Sequence, residues 1–191
     1  MKYVNNNFFI EKKKIENLVE KFSTPLYCYS YKNLKENIKH FKEVFREISP
    51  LICFSVKSNS NISILTEIRK LGLGADVVSK GELFASLKAG INKKKIVFSG
   101  VGKTKEEIEY AINKKILLIN SESLSEVLII EKIAKKLNKV VNIGLRLNPD
   151  TDAQTLKQIS TGKSENKFGV DKKTFVKIIN LMKQSKFINI K

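Results

Sequence analysis

The fold is decided between Leu51 and Ser79. Leu51-Ile52-Cys53-Phe54-Ser55-Val56 is a short apolar run, Ile64, Leu65, Ile68 and Leu71 recur at helical spacing over Ile62 to Leu71, and Ala75-Asp76-Val77-Val78-Ser79 is a second short run. Apolar runs of about four to eight residues bounded by turn-forming types read as buried strands, whereas the intervening period reads as one face of a helix. The stretch is therefore strand, helix, strand, and the pattern continues. Further strands are read at Ile96 to Ser99, Ile116 to Asn120 and Val140 to Leu147, with a last one beginning at Phe187. Ser79 is placed to cap a helix over Glu82 to Ala89. Thr104 and Ser123 each precede a Glu by three residues, a capping-box spacing, ahead of Ile108, Ala111 and Ile112 and of Val127, Ile130, Ile133, Ala134 and Leu137. Strand starts from Leu51 to Val140 are separated by 24, 21, 20 and 24 residues. Units of near-constant length, each one strand and one helix, imply a parallel sheet with helices outside.

A parallel sheet is either open and doubly wound or closed into a (β/α) barrel. An open sheet that binds a dinucleotide carries a Gly-rich turn after its first strand, but here Lys57-Ser58-Asn59-Ser60-Asn61 follows, without Gly. Gly72-Leu73-Gly74 precedes a strand and has Val77 where a third Gly is needed, and Gly102-Lys103-Thr104 lacks the earlier Gly of a phosphate loop because Val97 stands there. These are read as turns and helix starts, and the barrel is favoured.

Composition narrows the function classes. The chain has 191 residues, 42% hydrophobic and 29% charged, with 9 Gly and 3 Pro, which is globular rather than disordered or repetitive. The formal charge of +17 comes from 36 basic against 19 acidic residues. Only Arg46, Arg69 and Arg146 are arginines, and the lysines are dispersed, so the charge reads as solvated surface rather than a nucleic-acid footprint. No apolar run approaches the ~18 residues of a membrane span, and Asn5, Asn6 and Asn7 interrupt the start where a signal peptide is apolar. Cys28, Cys53 and His40 are too few for a structural zinc site, and reduced thiols in the cytoplasm are expected. His40 lies in an amphipathic stretch, Lys32 to Phe45, and is read as a surface helix residue.

In a barrel the chemistry sits at the C-terminal ends of the strands. The first strand runs into Lys57, and strand alternation then turns Ser55 and Cys53 inward with it and Phe54 and Ile52 outward. A desolvated lysine at such a mouth is a nucleophile toward aldehydes, although among so many lysines it also reads as the start of a loop. Asp76 in the second strand and Arg146 in the fifth place charges inside apolar runs, where each requires a partner.

Several motifs occur together: Pro25-Leu26-Tyr27-Cys28-Tyr29, Phe54-Ser55-Val56-Lys57-Ser58-Asn59, Gly74 to Leu83, Lys95 to Thr104, Arg146-Leu147-Asn148-Pro149, Ile159-Ser160-Thr161-Gly162 and Asn166-Lys167-Phe168-Gly169. In order and spacing, from about residue 22 onward, they resemble the fold-type III pyridoxal-phosphate decarboxylases, and the Gly74 to Ser79 wording favours the diaminopimelate branch. The resemblance implies an alanine-racemase-like (β/α)8 barrel, cut here after about five βα units, with residues 1–24 an N-terminal segment associated with a C-terminal β-domain that this stretch does not include and 25–191 forming the partial cofactor-binding barrel. It implies pyridoxal 5'-phosphate on Lys57 as Schiff-base lysine, with Asp76 assisting and both Asp76 and Arg146 near the cofactor. It also implies an amino-acid substrate, a homodimer with shared active sites, and no nucleic-acid, membrane or metal partner. The chain departs from the family at Leu156, where a His is usual. Ornithine, arginine or carboxynorspermidine decarboxylases and a racemase-like carrier barrel are the alternatives, and a chain of this length is expected to be inactive alone.

Overall fold

The computed structural model describes residues 2–151 and 168–191. Two compact units are present, Met1–Pro50 and Leu51–Lys191.

The first unit begins with three antiparallel strands, β1 (Lys2–Val4), β2 (Asn7–Ile10) and β3 (Lys13–Lys14), followed by helices α1 (Ile15–Phe22) and α2 (Tyr31–Val44). The first hairpin is a two-residue turn in which Asn5 and Asn6 both have positive φ, as the twist of paired strands requires and as Asn tolerates. The Asn run noted above as a break in hydrophobicity is thus a turn. Ser30 caps α2 by accepting the Asn33 N–H and donates its hydroxyl to Glu11 at 2.8 Å. His40 is exposed on α2. The resemblance implies a strand within residues 1–24, and the three-stranded antiparallel sheet and α1 go beyond that expectation.

The second unit contains β4 (Cys53–Ser55), α3 (Ile62–Lys70), β5 (Gly74–Val77), α4 (Lys80–Lys88), β6 (Ile96–Phe98), α5 (Lys105–Lys114), β7 (Leu118–Ser121), α6 (Leu124–Lys136), β8 (Val141–Leu145), α7 (Lys172–Met182) and β9 (Ile188–Ile190). All six strands are parallel and paired in chain order, β4-β5-β6-β7-β8-β9. A doubly wound sheet reverses its strand order at a switch point, and this one does not, so the winding is that of a barrel wall. Every expected strand and helix of this unit is present, with ends that differ by at most two residues. Helix α7 was not anticipated, although its Asp171 cap and Phe175, Ile178, Ile179 and Met182 spell a helical stripe.

The core lies between this sheet and its helices. Ala75, Val77, Ile96, Phe98, Ile119 and Ile143 from the strands meet Leu65, Ile68, Leu83, Ile108, Ala111, Val127, Ile130 and Ile178, all essentially inaccessible. Burying each large apolar side chain contributes about 1.5–3 kcal/mol. The opposite sheet face carries Cys53, Ser55, Asp76, Asn120, Asn142 and Asn189, all partly exposed. Among the described residues no helix is long and apolar enough to cross a membrane.

Candidate active site

Parallel strands bring all their C-terminal ends to one rim. After β4 the chain enters a 3-10 turn, Val56–Ser58. Val56 is fully buried and anchors the turn, and the Ser58 hydroxyl donates back to the Ser55 carbonyl at 2.7 Å. Lys57 is held between them, exposed, and its amine has no hydrogen bond or ion pair among the described residues. Two expectations change here. Strand alternation stops at Ser55, so Lys57 is presented by a turn rather than by the pleat. Nor do the described residues provide the desolvated setting expected for it.

Asp76 stands beside Ser55 in the β4–β5 register, which puts it one strand from the Lys57 turn. Among the described residues its partner is neither a cation nor a backbone amide. The Ser99 hydroxyl, just past β6, donates to Asp76 Oδ1 at 2.6 Å, and the Asn120 side-chain amide on β7 donates to Ser99 Oγ at 3.1 Å. The register sets Asn120 against Gly144 on β8, where an added Cβ would run into Asn120 Oδ1. Glycine is needed there because the amide oxygen fills the space. The row continues with Asn189 donating to Asn142 at 2.9 Å. Next to Asp76, the Cys53 thiol is pushed up from its ordinary range, chiefly by burial and then by the Asp76 charge, with Lys95 opposing.

Arg146 follows β8 instead of lying within it. Its guanidinium is 3.3 Å from the buried Glu122 carboxylate and 4.8 Å from the centre of the Phe168 ring. Glu122 also accepts the Gly169 N–H at 3.1 Å, while Arg146 and Asn148 exchange backbone bonds with Val170. The structure therefore brings Lys57 and Asp76 to adjacent strands, and places Arg146 three strands beyond Asp76 in a separate ion pair. Leu156 lies outside the described residues.

Helix starts lock the same rim. Thr104 and Glu107 form the expected capping box, and Glu107 also accepts the Lys80 N–H at 2.8 Å. Burial raises the Glu107 carboxyl, but the Thr104 and Lys80 N–H groups, the Thr104 hydroxyl and the Lys80 charge outweigh it and leave it lowered. Ser123 caps α6, but Glu126 does not complete a box. Its carboxylate takes the Glu122 N–H and the amine of Lys103. The Lys103 side chain is fully buried, and its amine is satisfied by the Gly100 and Asn120 carbonyls and Glu126, at 2.6, 2.7 and 2.7 Å. A charge this deep is tolerated because all three donors have acceptors.

Ser99, Lys103, Asn120, Glu122 and Glu126 were not singled out as site residues from sequence. Ser99 and Asn120 could have been, as polar residues closing apolar strands at the chemically competent end. Among the described residues no three His, Cys, Asp or Glu side chains converge as metal ligands do.

Comparison with known proteins adds identity to this geometry. Residues 31–191 match the family model for the pyridoxal-dependent decarboxylase pyridoxal-binding domain. A diaminopimelate decarboxylase of Neisseria meningitidis is 46% identical over 162 residues, which is 85% of this chain and 40% of that protein. The crystal structure of diaminopimelate decarboxylase from Helicobacter pylori complexed with L-lysine superimposes with a TM-score of 0.89 at 44% identity, covering 92% of this chain and 45% of that one. The crystal structure of diaminopimelate decarboxylase from M. jannaschi superimposes with a TM-score of 0.91 at 36% identity, covering 99% of this chain and 45% of that one. The chain thus spans less than half the length of these relatives.

Proposed function

The chain belongs to the pyridoxal-dependent decarboxylases, and from that premise we propose that its residues serve the decarboxylation of meso-2,6-diaminopimelate to L-lysine with pyridoxal 5'-phosphate held on Lys57. The observation that carries this reading is the placement of a lysine amine with no partner among the described residues, on a turn at the strand ends, next to a strand that carries a carboxylate. The residues fit the cofactor. An exposed amine with no partner among the described residues is free to join an aldehyde, and Asp76 keeps Oδ2 without a hydrogen bond among the same residues while Oδ1 is held by Ser99.

When bound, the cofactor supplies a conjugated ring that accepts the electron pair left as carbon dioxide departs. Lys57 Nζ would hold the cofactor covalently through its aldehyde carbon. The same amine would be the group placed to carry protons at the reacting end. Asp76 supplies a fixed negative charge that favours and orients a cationic nitrogen beside it. Arg146 enters as a residue near the cofactor, its guanidinium oriented by Glu122 and Phe168. Overall one carbon–carbon bond breaks and one proton is taken up at the α-carbon. The same reading assigns an amino-acid substrate, a homodimer with shared active sites and a cytoplasmic location. The similarity to diaminopimelate decarboxylases at 46% identity supports this branch over the ornithine and arginine types.

Borohydride reduction of the protein with pyridoxal phosphate, followed by peptide mapping, tests it. The expected result is one pyridoxyl label on Lys57, absent from Lys57→Arg. Labelling spread over surface lysines would overturn the assignment.

A further inference from the structure

The row of side chains beside Lys57 has a direction, and the direction has a consequence. Ser99 has one hydroxyl proton. Asn120 donates its amide N–H to Ser99 Oγ, which occupies an acceptor position of that oxygen and leaves the proton for Asp76 Oδ1. The Ser99 backbone is fixed as well, because its N–H donates to the Val77 carbonyl at 2.8 Å, beside Asp76 in the chain. Asn120 in turn is held by the buried Lys103, which binds its carbonyl, and its side chain overlies Gly144. Four strands, β5 to β8, thus converge on the orientation of one carboxylate.

We propose that Ser99, directed by Asn120, is the positioning residue that fixes Asp76 with Oδ2 free toward the Lys57 side of the site. The role toward Lys57 rests on the reading of Lys57 as the cofactor-bearing amine, and the orientation of Asp76 does not. A carboxylate held at one oxygen by a short charge-assisted bond keeps a single rotamer, whereas one without it averages among several. Ser99 acts through Asp76 and requires no contact with the cofactor.

The whole protein, free of cofactor and labelled with carboxyl-13C aspartate, reads the first part. Ser99→Ala and Asn120→Ala should shift the Asp76 carboxyl resonance and broaden it, and Ser99→Thr, which keeps the hydroxyl, should restore it. Ser99→Cys keeps nearly the same volume with a poor donor, so it reports on the bond even if Ser99→Ala does not fold. Trapping pyridoxal phosphate with borohydride reads the second part. Label on Lys57 after a fixed short time should fall about fivefold in Ser99→Ala and Ser99→Cys and recover in Ser99→Thr. An Asp76 resonance unchanged in the alanine and cysteine variants overturns the positioning of Asp76. A changed resonance with unchanged labelling overturns its relevance to Lys57. Failure of the unaltered protein to label Lys57 overturns the underlying site reading and the role toward Lys57 with it, and leaves the resonance result to decide the orientation alone.

Discussion

The two faces of the six-stranded sheet are made by neighbouring residues and do opposite things. Phe98 and Ile119 point into the helices and are inaccessible, while Ser99 and Asn120, one residue on, join the hydrogen-bonded row that ends on Asp76. Ile143 and Ile188 are likewise buried beside Asn142 and Asn189, which bond each other across β8 and β9. Because side chains alternate along a strand, each strand contributes to stability with one set of residues and to the site with the other. Stability therefore belongs to the helix-covered face and orientation to the open one.

The largest effect that tests this division is at Phe98. Phe98→Ala opens a cavity in the core and should cost about 3–5 kcal/mol in urea unfolding, whereas Ser99→Ala next to it should cost about 1 kcal/mol. Equal costs, or a larger one at Ser99, would break the comparison.

A smaller effect is expected at the rim, where the Lys103 side chain shares the burial of the covered side. Lys103→Met removes the amine from between Glu126, Gly100 and Asn120 and leaves the mostly buried Glu126 carboxylate without its cation. Breaking such a pair from one side costs about 3 kcal/mol, because the remaining charge is uncompensated. Adding Glu126→Gln should recover a substantial part of that loss in a double-mutant cycle. Additive losses would mean that Lys103 contributes through its carbonyl contacts and not through the ion pair.

The same division explains what was legible in the sequence. The covered face announces itself through repetition, since apolar runs and capped helices recur from Leu51 to Val140 at intervals of 24, 21, 20 and 24 residues. Lys57 and Asp76 stood out because a charge closing or interrupting an apolar strand breaks that pattern. Ser99 and Asn120 did not, because a neutral polar residue at a strand end looks the same whether it ends a strand or orients a carboxylate. The choice depends on register, which brings residues 23 and 21 positions apart into contact. Glu126 was misread for a related reason. Its spacing from Ser123 fits a capping box, but a lysine from another unit of the repeat, Lys103, competes for the carboxylate. The first unit was least legible, since strands as short and polar as Lys13–Lys14 carry no periodic signal.

The smallest expected effect reads the open face from within. Cys53 lies on it, and burial first and the Asp76 charge second hold its thiol above the ordinary range, with Lys95 pulling the other way. A raised thiol keeps its proton to higher pH, so its contribution to stability is complete below the unfolded value and is lost as pH rises through the folded one. Alkylation proceeds through the thiolate. In a Cys28→Ser background, free of cofactor, iodoacetamide should therefore modify Cys53 several-fold more slowly than free cysteine near pH 8.5, about the reference value for a thiol. Asp76→Asn removes the charge and keeps the burial, so the pH profile should move only part of the way back. A profile that moves all the way would make Asp76 the sole cause and leave the open face as wet as bulk solvent. A profile that does not move would mean that the Asp76 charge is screened before it reaches the next strand, and a carboxylate screened from Cys53 could not bias a nitrogen on the neighbouring turn either.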